Sequence, residues 1–193
     1  MLVLAGDIFQ RWADDGRAPH PELVPVVDAL ARVAPRRIFT PGNHDWAAGG
    51  FLARHLDAEV TLTARLTLDG CRILVSHGDE ADGSLGYRAL RRVVRSGLVG
   101  ALRTALGPAR TWRLEGALGH APEGEPDPAL IAAQRARARE VLAHADVDVV
   151  VNGHTHAPCV EAHPGGLWVN LGDGHHTWCV LDGGTPTLTR HPP

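Results

Sequence analysis

Four short clusters of side chains that could bind a metal ion are spaced along the sequence. Each cluster contains a glycine and follows a short apolar run. Together they offer a carboxylate, an amide oxygen and several imidazoles, a mixed oxygen and nitrogen set that suits Mn, Fe, Zn or Co. An all-oxygen calcium site or a thiolate-rich structural zinc site would need other residues. The clusters are Gly6-Asp7, Gly42-Asn43-His44-Asp45, His77-Gly78-Asp79 and Gly153-His154-Thr155-His156.

The apolar runs before the clusters are predicted to be buried β-strands, and they alternate with stretches of helical spacing, which favours an α/β fold. The carboxyl ends of strands in such a fold meet at one edge of a sheet, so we expect the four clusters to lie close together. Each cluster alone has an ordinary interpretation as a turn or a buried histidine, but their combination favours a metal site. The predicted strands are 2–5, 37–40, 71–76 and 147–152, and the predicted helices are 21–33, 86–106 and 128–145.

The segments between these elements carry further predictions. Residues 59–68 alternate like a single edge strand, and Asp69-Gly70 is a hairpin turn signal. Residues 107–128 are rich in proline and glycine and are predicted to form a loop. Asp127 is the predicted N-cap of the following helix, with Pro128 in its first turn.

Composition bounds the class of protein. The chain has 193 residues, enough for about one domain, and its 44% hydrophobic and 21% charged residues are typical of a globular protein. A net charge of -3 disfavours a protein that binds duplex nucleic acid. The chain shows no signal-peptide pattern and no apolar run of about 20 residues. Its 3 cysteines form no CxxC pair, which favours a reducing, cytoplasmic location.

In their order along the chain, the four clusters resemble the motifs of the calcineurin-like metallophosphoesterase superfamily, which run G-D, G-N-H-[DE], H and G-H-x-H. The resemblance implies two mixed β-sheets sandwiched between helices and a site for two divalent metal ions, with Mn preferred over Fe or Zn. It implies that Asp7 bridges the two metals and that Asn43, His77 and His154 complete one site. His156 would serve the other metal.

The resemblance assigns the catalytic role to His44, which would lie over the phosphate and stabilise the transition state or protonate the leaving oxygen. We expect Asp45 to orient His44, as carboxylates commonly do for a catalytic imidazole. The water that attacks phosphorus would be activated by the metals.

One motif of the superfamily, D-x-H, is expected ahead of Asp7, together with the first strand of the fold. Only six residues precede Asp7 in this sequence. We expect the missing segment to be encoded upstream, so that this chain alone has low activity. The alternative is a relative that binds one metal or is inactive.

Within the superfamily, the sequence is more similar to UDP-2,3-diacylglucosamine hydrolases, which cleave a pyrophosphate. The similarity rests on residues 6–12, 76–80, 86–88 and 169–173. The sequence departs from that group at His44, where those enzymes often have arginine, and in its tail, which continues into His175 and His176 instead of reading GDW. These two histidines are secondary candidates for the site.

The domain is expected to span residues 1–193, with 86–145 as a helical cap inserted over the active edge. The basic face formed by Arg88, Arg91, Arg92 and Arg95 is predicted to bind a diphosphate, with the first three as the candidate site residues. The apolar face of the same segment could hold acyl chains or touch a membrane surface. Alternatively, it packs against the core like the stripe of an ordinary amphipathic helix. That face contains Leu98, Val99, Leu102 and Leu106.

These observations predict a metal-dependent phosphoester or pyrophosphate hydrolase, with a UDP-sugar lipid as a candidate substrate. The expected partner is a phosphorylated small molecule or lipid, with peripheral membrane contact open, nucleic acid disfavoured and the oligomeric state undetermined. The alternatives are a non-enzymatic scaffold and a nucleic-acid phosphodiesterase. A small zinc module built on His154, His156 and Cys159 is a further, weaker alternative.

Overall fold

A computed structural model describes residues 1–118, 126–172, 177–182 and 184–190. In chain order the elements are β1 (Leu2–Leu4), α1 (Val24–Val33), β2 (Arg37–Phe39), α2 (Gly49–Leu56), β3 (Ala58–Val60), β4 (Thr63–Leu68), β5 (Cys71–Ser76), α3 (Leu85–Val94), α4 (Gly97–Leu106), α5 (Pro108–Leu118), α6 (Pro128–His144), β6 (Val149–Asn152), β7 (Cys159–His163), β8 (Gly166–Asn170), β9 (Thr177–Asp182) and β10 (Thr185–Arg190).

The chain forms two compact units, each assembled from two separate segments. The first unit comprises Met1–Thr61 and Gly83–Gly124, and the second comprises Leu62–Asp82 and Glu125–Pro193. The polypeptide therefore passes from one unit to the other three times. Within the range 86–145, helices α3 to α5 belong to the first unit and α6 belongs to the second. The single domain with a cap at 86–145 stays a prediction.

The first unit is built on a parallel sheet in the order β1-β2-β3. Its core gathers large side chains from the sheet, from α1 and α2, and from the loop that follows β1. Trp12, which is 1% exposed, packs edge-on against Phe9 and also contacts Phe51. Burial of such aromatic and aliphatic side chains provides the main driving force for this unit.

The second unit contains a five-stranded sheet in the order β4-β5-β6-β8-β7, and a separate hairpin of β9 and β10. Pairing in the larger sheet is mixed: β5, β6 and β8 run parallel, whereas β4 and β7 pair antiparallel with their neighbours. Helix α6 packs on this sheet through Ala138 and Leu142, in a core that also holds Trp168. The predicted α/β class is confirmed.

The four strands predicted before the ligand clusters all form, and Asp127 caps α6 as predicted by accepting a hydrogen bond from the Ala129 N–H (2.8 Å). The prediction of one strand at 59–68 is wrong. This stretch forms β3 and β4, which belong to different sheets, with a break between residues 60 and 63. The alternation of side chains continues across the break, so the pattern alone does not reveal it.

Two helical predictions also need correction. The predicted helix at 86–106 is broken after Arg95, because the Ser96 hydroxyl accepts a hydrogen bond from the Val99 N–H and starts a new helix, α4. The predicted loop at 107–128 instead contains α5. Gly107 adopts a left-handed φ of 74° that ends α4, and Pro108 then occupies the first turn of α5. The strands β7 and β10 were not predicted.

None of the helices in the described ranges combines the length and the apolar character that a membrane crossing requires.

Candidate functional site

In the first unit, two ligand clusters follow neighbouring parallel strands. Leu4 of β1 lies opposite Phe39 of β2, so the loops that carry Asp7 and residues 42–45 leave the sheet at the same edge. The Asp7 carboxylate accepts a hydrogen bond from the backbone N–H of His44 (2.8 Å). This contact joins the two clusters directly, as the sequence analysis expected for adjacent strand ends.

Asp45 is fully buried, and its carboxylate collects backbone N–H groups from both loops. One oxygen accepts from Ile8 (2.8 Å) and Phe9 (3.4 Å), and the other accepts from Gly42 (2.9 Å). Hydrogen bonds to an ionised acceptor are stronger than those between neutral groups. Asp45 therefore fastens the loop after β1 to the loop after β2. Its predicted role in orienting His44 stays a prediction.

Gly42 lies so close to Asp7 that no side chain fits there. A Cβ atom added at residue 42 would stand 2.1 Å from Asp7 Oδ1 and 2.6 Å from the Asp7 nitrogen. Real Cβ atoms do not approach other atoms so closely, so glycine is required for this contact.

In the second unit, the clusters after β5 and β6 are likewise neighbours on parallel strands. The rings of His77 and His154 lie edge-to-face with centroids 5.0 Å apart, and the two residues offer ring nitrogens within 4.8 Å of each other. The backbone N–H of Gly153 donates to the His77 carbonyl (2.9 Å), which joins the two loops. This spacing allows both imidazoles to bind one cation.

A buried polar network lies behind the loop at 153–156. Gln134 from α6 contacts Gly153 and Thr155, and Asn170 at the end of β8 contacts both Thr155 and Gln134. Asn152 bonds to Ser76 and accepts from the Trp168 indole N–H (3.2 Å). These residues were not predicted from the sequence to be part of the site. The available signal was a glutamine on the apolar stripe of α6, between Ile131 and Ala138.

Three predicted metal ligands have a backbone conformation that residues other than glycine rarely adopt. Asp7, His154 and His156 have φ values of 51°, 70° and 53°. A non-glycine residue in this region costs about 1 kcal/mol, and such strain concentrates at functional sites where the surrounding structure holds it in place. Asp57 and Asp69 share this conformation, but they lie at a helix end and a hairpin turn.

The predicted substrate-binding arginines lie on α3. Arg88 and Arg92 are exposed, whereas Arg91 is half-buried. Arg95, just after the helix, donates from Nη2 to the carbonyl oxygen of Gly42 (3.0 Å), so this basic segment reaches the loop that carries Asn43 and His44. The sequence places Arg95 on the same basic face as the other arginines but does not predict this contact.

The apolar residues of α3 and α4 do not pack into a core, because neither helix has a buried residue. The alternative of an ordinary amphipathic stripe on the core is therefore wrong for these two helices. Several of their large apolar side chains are more than half exposed: Leu85, Leu90, Val93, Leu98 and Leu102.

Helix α5 is attached to the loop that follows Asp7. The Trp112 ring stacks on His20 (4.2 Å between centroids), lies 3.9 Å from the Arg11 guanidinium carbon, and donates its N–H to Glu22 (3.1 Å). Arg103 of α4 bonds to Glu115 and to the Trp12 carbonyl. The loop that begins with Asp7 is thus held by side chains of two helices that lie far from it in the sequence.

The donor chemistry fits a divalent transition metal. Carboxylate and amide oxygens are available at Asp7 and Asn43 in the first unit, and imidazoles at His77, His154 and His156 in the second. His77 is 2% exposed, and the other four are half-buried. Their assignment as ligands stays a prediction. His175 and His176 lie outside the described residues. No group of three candidate ligands within the described ranges includes Cys159, which leaves the zinc module without support.

Comparison with known proteins gives a family match. The family model for calcineurin-like phosphoesterases matches residues 1–158. A UDP-2,3-diacylglucosamine hydrolase of Bordetella parapertussis is 36% identical over 177 residues, which cover 81% of this chain and 64% of that protein. A protein of the same name from Ralstonia nicotianae is 30% identical over 87% of this chain and 69% of its own length. The resemblance predicted from the motifs is confirmed.

The chain spans 64% of the length of the Bordetella relative. Among solved structures, an archaeal phosphodiesterase aligns with a TM-score of 0.48 and 14% identity, covering 87% of this chain and 76% of the other.

Proposed function

Because the chain belongs to the calcineurin-like phosphoesterase family, we propose that it hydrolyses a phosphoester or diphosphate bond with the help of two divalent metal ions. The observation that carries this proposal is the left-handed backbone of Asp7, His154 and His156. These residues lie in two of the four segments that the motifs predict to bind metal, and hydrogen bonds from buried side chains hold the backbone around both. Strain of this kind is retained where a function depends on it.

Mn²⁺ is the preferred metal in this proposal, with Fe²⁺ or Zn²⁺ as alternatives, and the proposed ligands are Asp7, Asn43, His77, His154 and His156. When bound, such ions polarise phosphoryl oxygens and lower the pKa of a bound water. The chain itself contributes the fixed positions of these ligands. Asp45 and the Gln134 network hold the loops, so the ligands need little rearrangement when the metals bind.

We propose that His44 contacts the phosphoryl group and donates a proton or a hydrogen bond to the oxygen on which negative charge develops. Its backbone N–H donates to the Asp7 carboxylate, and the carbonyl oxygen of Gly42, two residues earlier, accepts a hydrogen bond from Arg95. The imidazole therefore projects from a segment that is fixed on both sides. Asp45 keeps that segment in place through its bonds to Gly42 and Ile8.

The proposed substrate is a nucleoside diphosphate linked to an acylated sugar, as in the names of the Bordetella and Ralstonia relatives. Exposed Arg88 and Arg92 on α3 supply positive charge for a diphosphate. The exposed apolar side chains of α3 and α4 offer a surface for acyl chains. Charge and apolar surface on the same helices match the two halves of such a lipid.

The test uses the purified chain with Mn²⁺ and two substrates, UDP-2,3-diacylglucosamine and bis(p-nitrophenyl) phosphate. We expect slow but measurable hydrolysis that EDTA abolishes and that His44→Ala lowers by about 100-fold, the usual range for loss of a general acid. Asp28→Ala, at an exposed position of α1, is the matched control and should leave the rate unchanged.

The outcomes separate the alternatives. Cleavage of the UDP-lipid in preference to the simple diester supports the proposed substrate, whereas cleavage of the simple diester alone supports a broader phosphodiesterase. Metal binding without turnover of either substrate would contradict the proposed activity and favour a scaffold role. Elemental analysis should give one to two metal ions per chain after loading with Mn²⁺ and desalting.

A further inference from the structure

Helix α6 places one neutral side chain against both ligand loops of the second unit. Gln134 is 2% exposed and lies on the face of α6 that packs toward the sheet. Its amide contacts the loop after β6, and a Cβ atom added at Gly78, in the loop after β5, would stand 2.1 Å from its Nε2. His77 immediately precedes Gly78, and His154 immediately follows Gly153, which Gln134 contacts.

The hydrogen bonds of Gln134 use both ends of its amide. Nε2 donates to the carbonyl oxygen of Gly153 (3.0 Å), and Oε1 accepts from the hydroxyl of Thr155 (3.0 Å) and from Nδ2 of Asn170 (2.8 Å). This arrangement requires a donor and an acceptor on the same planar group, which only an amide side chain of this length supplies. A glutamate would direct an oxygen at the Gly153 carbonyl, and an apolar residue would leave buried polar groups unsatisfied.

The contacts of Gln134 lie beside the strained residues of the loop. Gly153 precedes His154, and Thr155 separates His154 from His156, both of which have positive φ values. A loop that is not held would relax toward common backbone conformations and move both imidazoles. Gln134 and Asn170 are the side chains that bond to Thr155 from outside the loop.

Helix α6 is itself fastened to the neighbouring edge strand. Arg135 makes two hydrogen bonds to the Glu161 carboxylate (both 2.7 Å), and Arg139 donates to Nδ1 of His163 (3.2 Å). Arg135 also holds the pKa of the Glu161 carboxyl below its ordinary value, so this pair stays ionised at neutral pH. The position of Gln134 along the sheet is therefore fixed by the residue that follows it.

We propose that Gln134 is a positioning residue that holds the loop at 153–156 in its ligand-binding conformation before any metal is bound. The inference rests on the proposed function in one respect, namely that His154 binds a metal. Gln134 itself binds neither metal nor substrate, and it acts through the backbone on either side of His154. Its loss should weaken metal binding more than it weakens turnover at saturating metal.

The test compares Gln134→Met, which keeps the length of the side chain and removes both polar functions, with Leu142→Ala. Leu142 is 4% exposed and lies on the same face of α6, in the apolar core. A purely structural role predicts the same behaviour for both variants. We expect both to unfold at lower temperature, but only Gln134→Met to raise the Mn²⁺ dissociation constant, by about tenfold or more at a temperature where both are folded.

A second readout needs no metal. Hydrogen exchange of residues 152–156 in EDTA reports on the loop, whose Gly153 and Thr155 N–H groups are hydrogen-bonded. We expect faster exchange there in Gln134→Met than in Leu142→Ala. Equal exchange and equal Mn²⁺ affinity in the two variants would overturn the proposal. If the unmodified chain binds no Mn²⁺, the proposed function fails, and the exchange comparison still decides whether Gln134 holds the loop.

Discussion

The two units hold their ligand loops in place with different kinds of side chain. Each places two ligand loops at the ends of neighbouring parallel strands. In the first unit, the brace is a buried carboxylate, Asp45, that accepts backbone N–H groups. In the second, it is an uncharged network centred on Gln134, Thr155 and Asn170.

Whether a sequence motif contains the side chain that holds a ligand loop depends on where that side chain lies in the sequence. Asp45 belongs to the same four-residue cluster as the proposed ligand Asn43, so the motif contains the side chain that holds its own loop. Gln134 lies on α6, 19 residues before Gly153, to which it bonds. The charged carboxylate of Asp45 accepts several strong hydrogen bonds by itself. In the neutral network, the contribution to stability is divided among several side chains.

The largest effect is expected from removing the charged brace. Asp45→Ala leaves the N–H groups of Ile8 and Gly42 without their acceptor, and each loss of this kind costs about 1–3 kcal/mol. We expect the free energy of unfolding to fall by about 4 kcal/mol in urea titrations. Gln134→Ala should cost about 2 kcal/mol, because its partners are neutral. A smaller loss for Asp45→Ala than for Gln134→Ala would contradict the comparison.

Substitution of two glycines of the second unit is expected to have effects of intermediate size. Gly78→Ala combines a strained φ of 102° with a clash against Gln134, whereas Gly70→Ala has a φ of 81° with no atom within 4 Å. We expect a loss of about 1 kcal/mol for Gly70→Ala, from backbone strain alone, and about 3 kcal/mol for Gly78→Ala. Thermal unfolding of both variants measures the difference, and equal losses would show that Gln134 yields to the new methyl group.

The smallest effect concerns pH. In the second unit, the Arg72 guanidinium and backbone N–H hold the pKa of the Asp148 carboxyl far below its ordinary value. The folded-state pKa is depressed, so this contribution to stability is complete above about pH 4 and is lost as the pH falls below that value. The neutral Gln134 network adds no acid sensitivity of its own.

Asp148→Asn should therefore destabilise the protein at neutral pH, and the difference from the unmodified chain should shrink as the pH approaches 3. Urea midpoints measured between pH 7 and pH 3 follow this difference. A difference that stays constant with pH would show that Asp148 contributes through its shape rather than its charge.

The sequence was sufficient to predict the strands that lead into the ligand clusters, because buried strands and glycine-bounded loops leave a clear local pattern. It was not sufficient for α5. Gly107 and Pro108 are ordinary loop residues by composition, yet here one ends a helix and the other begins the next. Helix α5 is stabilised by the stacking of Trp112 on His20 and Arg11, which lie 92 and 101 residues earlier, and no local pattern records this contact.

The same limit applies to the site. Asp7, Asn43 and His154 were predicted because metal ligands must be of a few residue types at strand ends. Gln134 could have been noticed only as a polar residue on an apolar stripe, and that pattern does not say which loop it contacts. Residues 59–68 failed as a prediction for a related reason, since one alternating pattern was divided between two sheets.

The chain passes between the two units three times, and this affects how each unit can fold during synthesis. The core of the first unit includes Trp112, so that core cannot be completed until well after β4 and β5 have been synthesised. The β4-β5 hairpin must then wait for β6, its parallel neighbour, which begins at Val149. Neither unit can be obtained by truncating the gene at a single place, and the second unit must keep a partly built sheet from misassembling during translation.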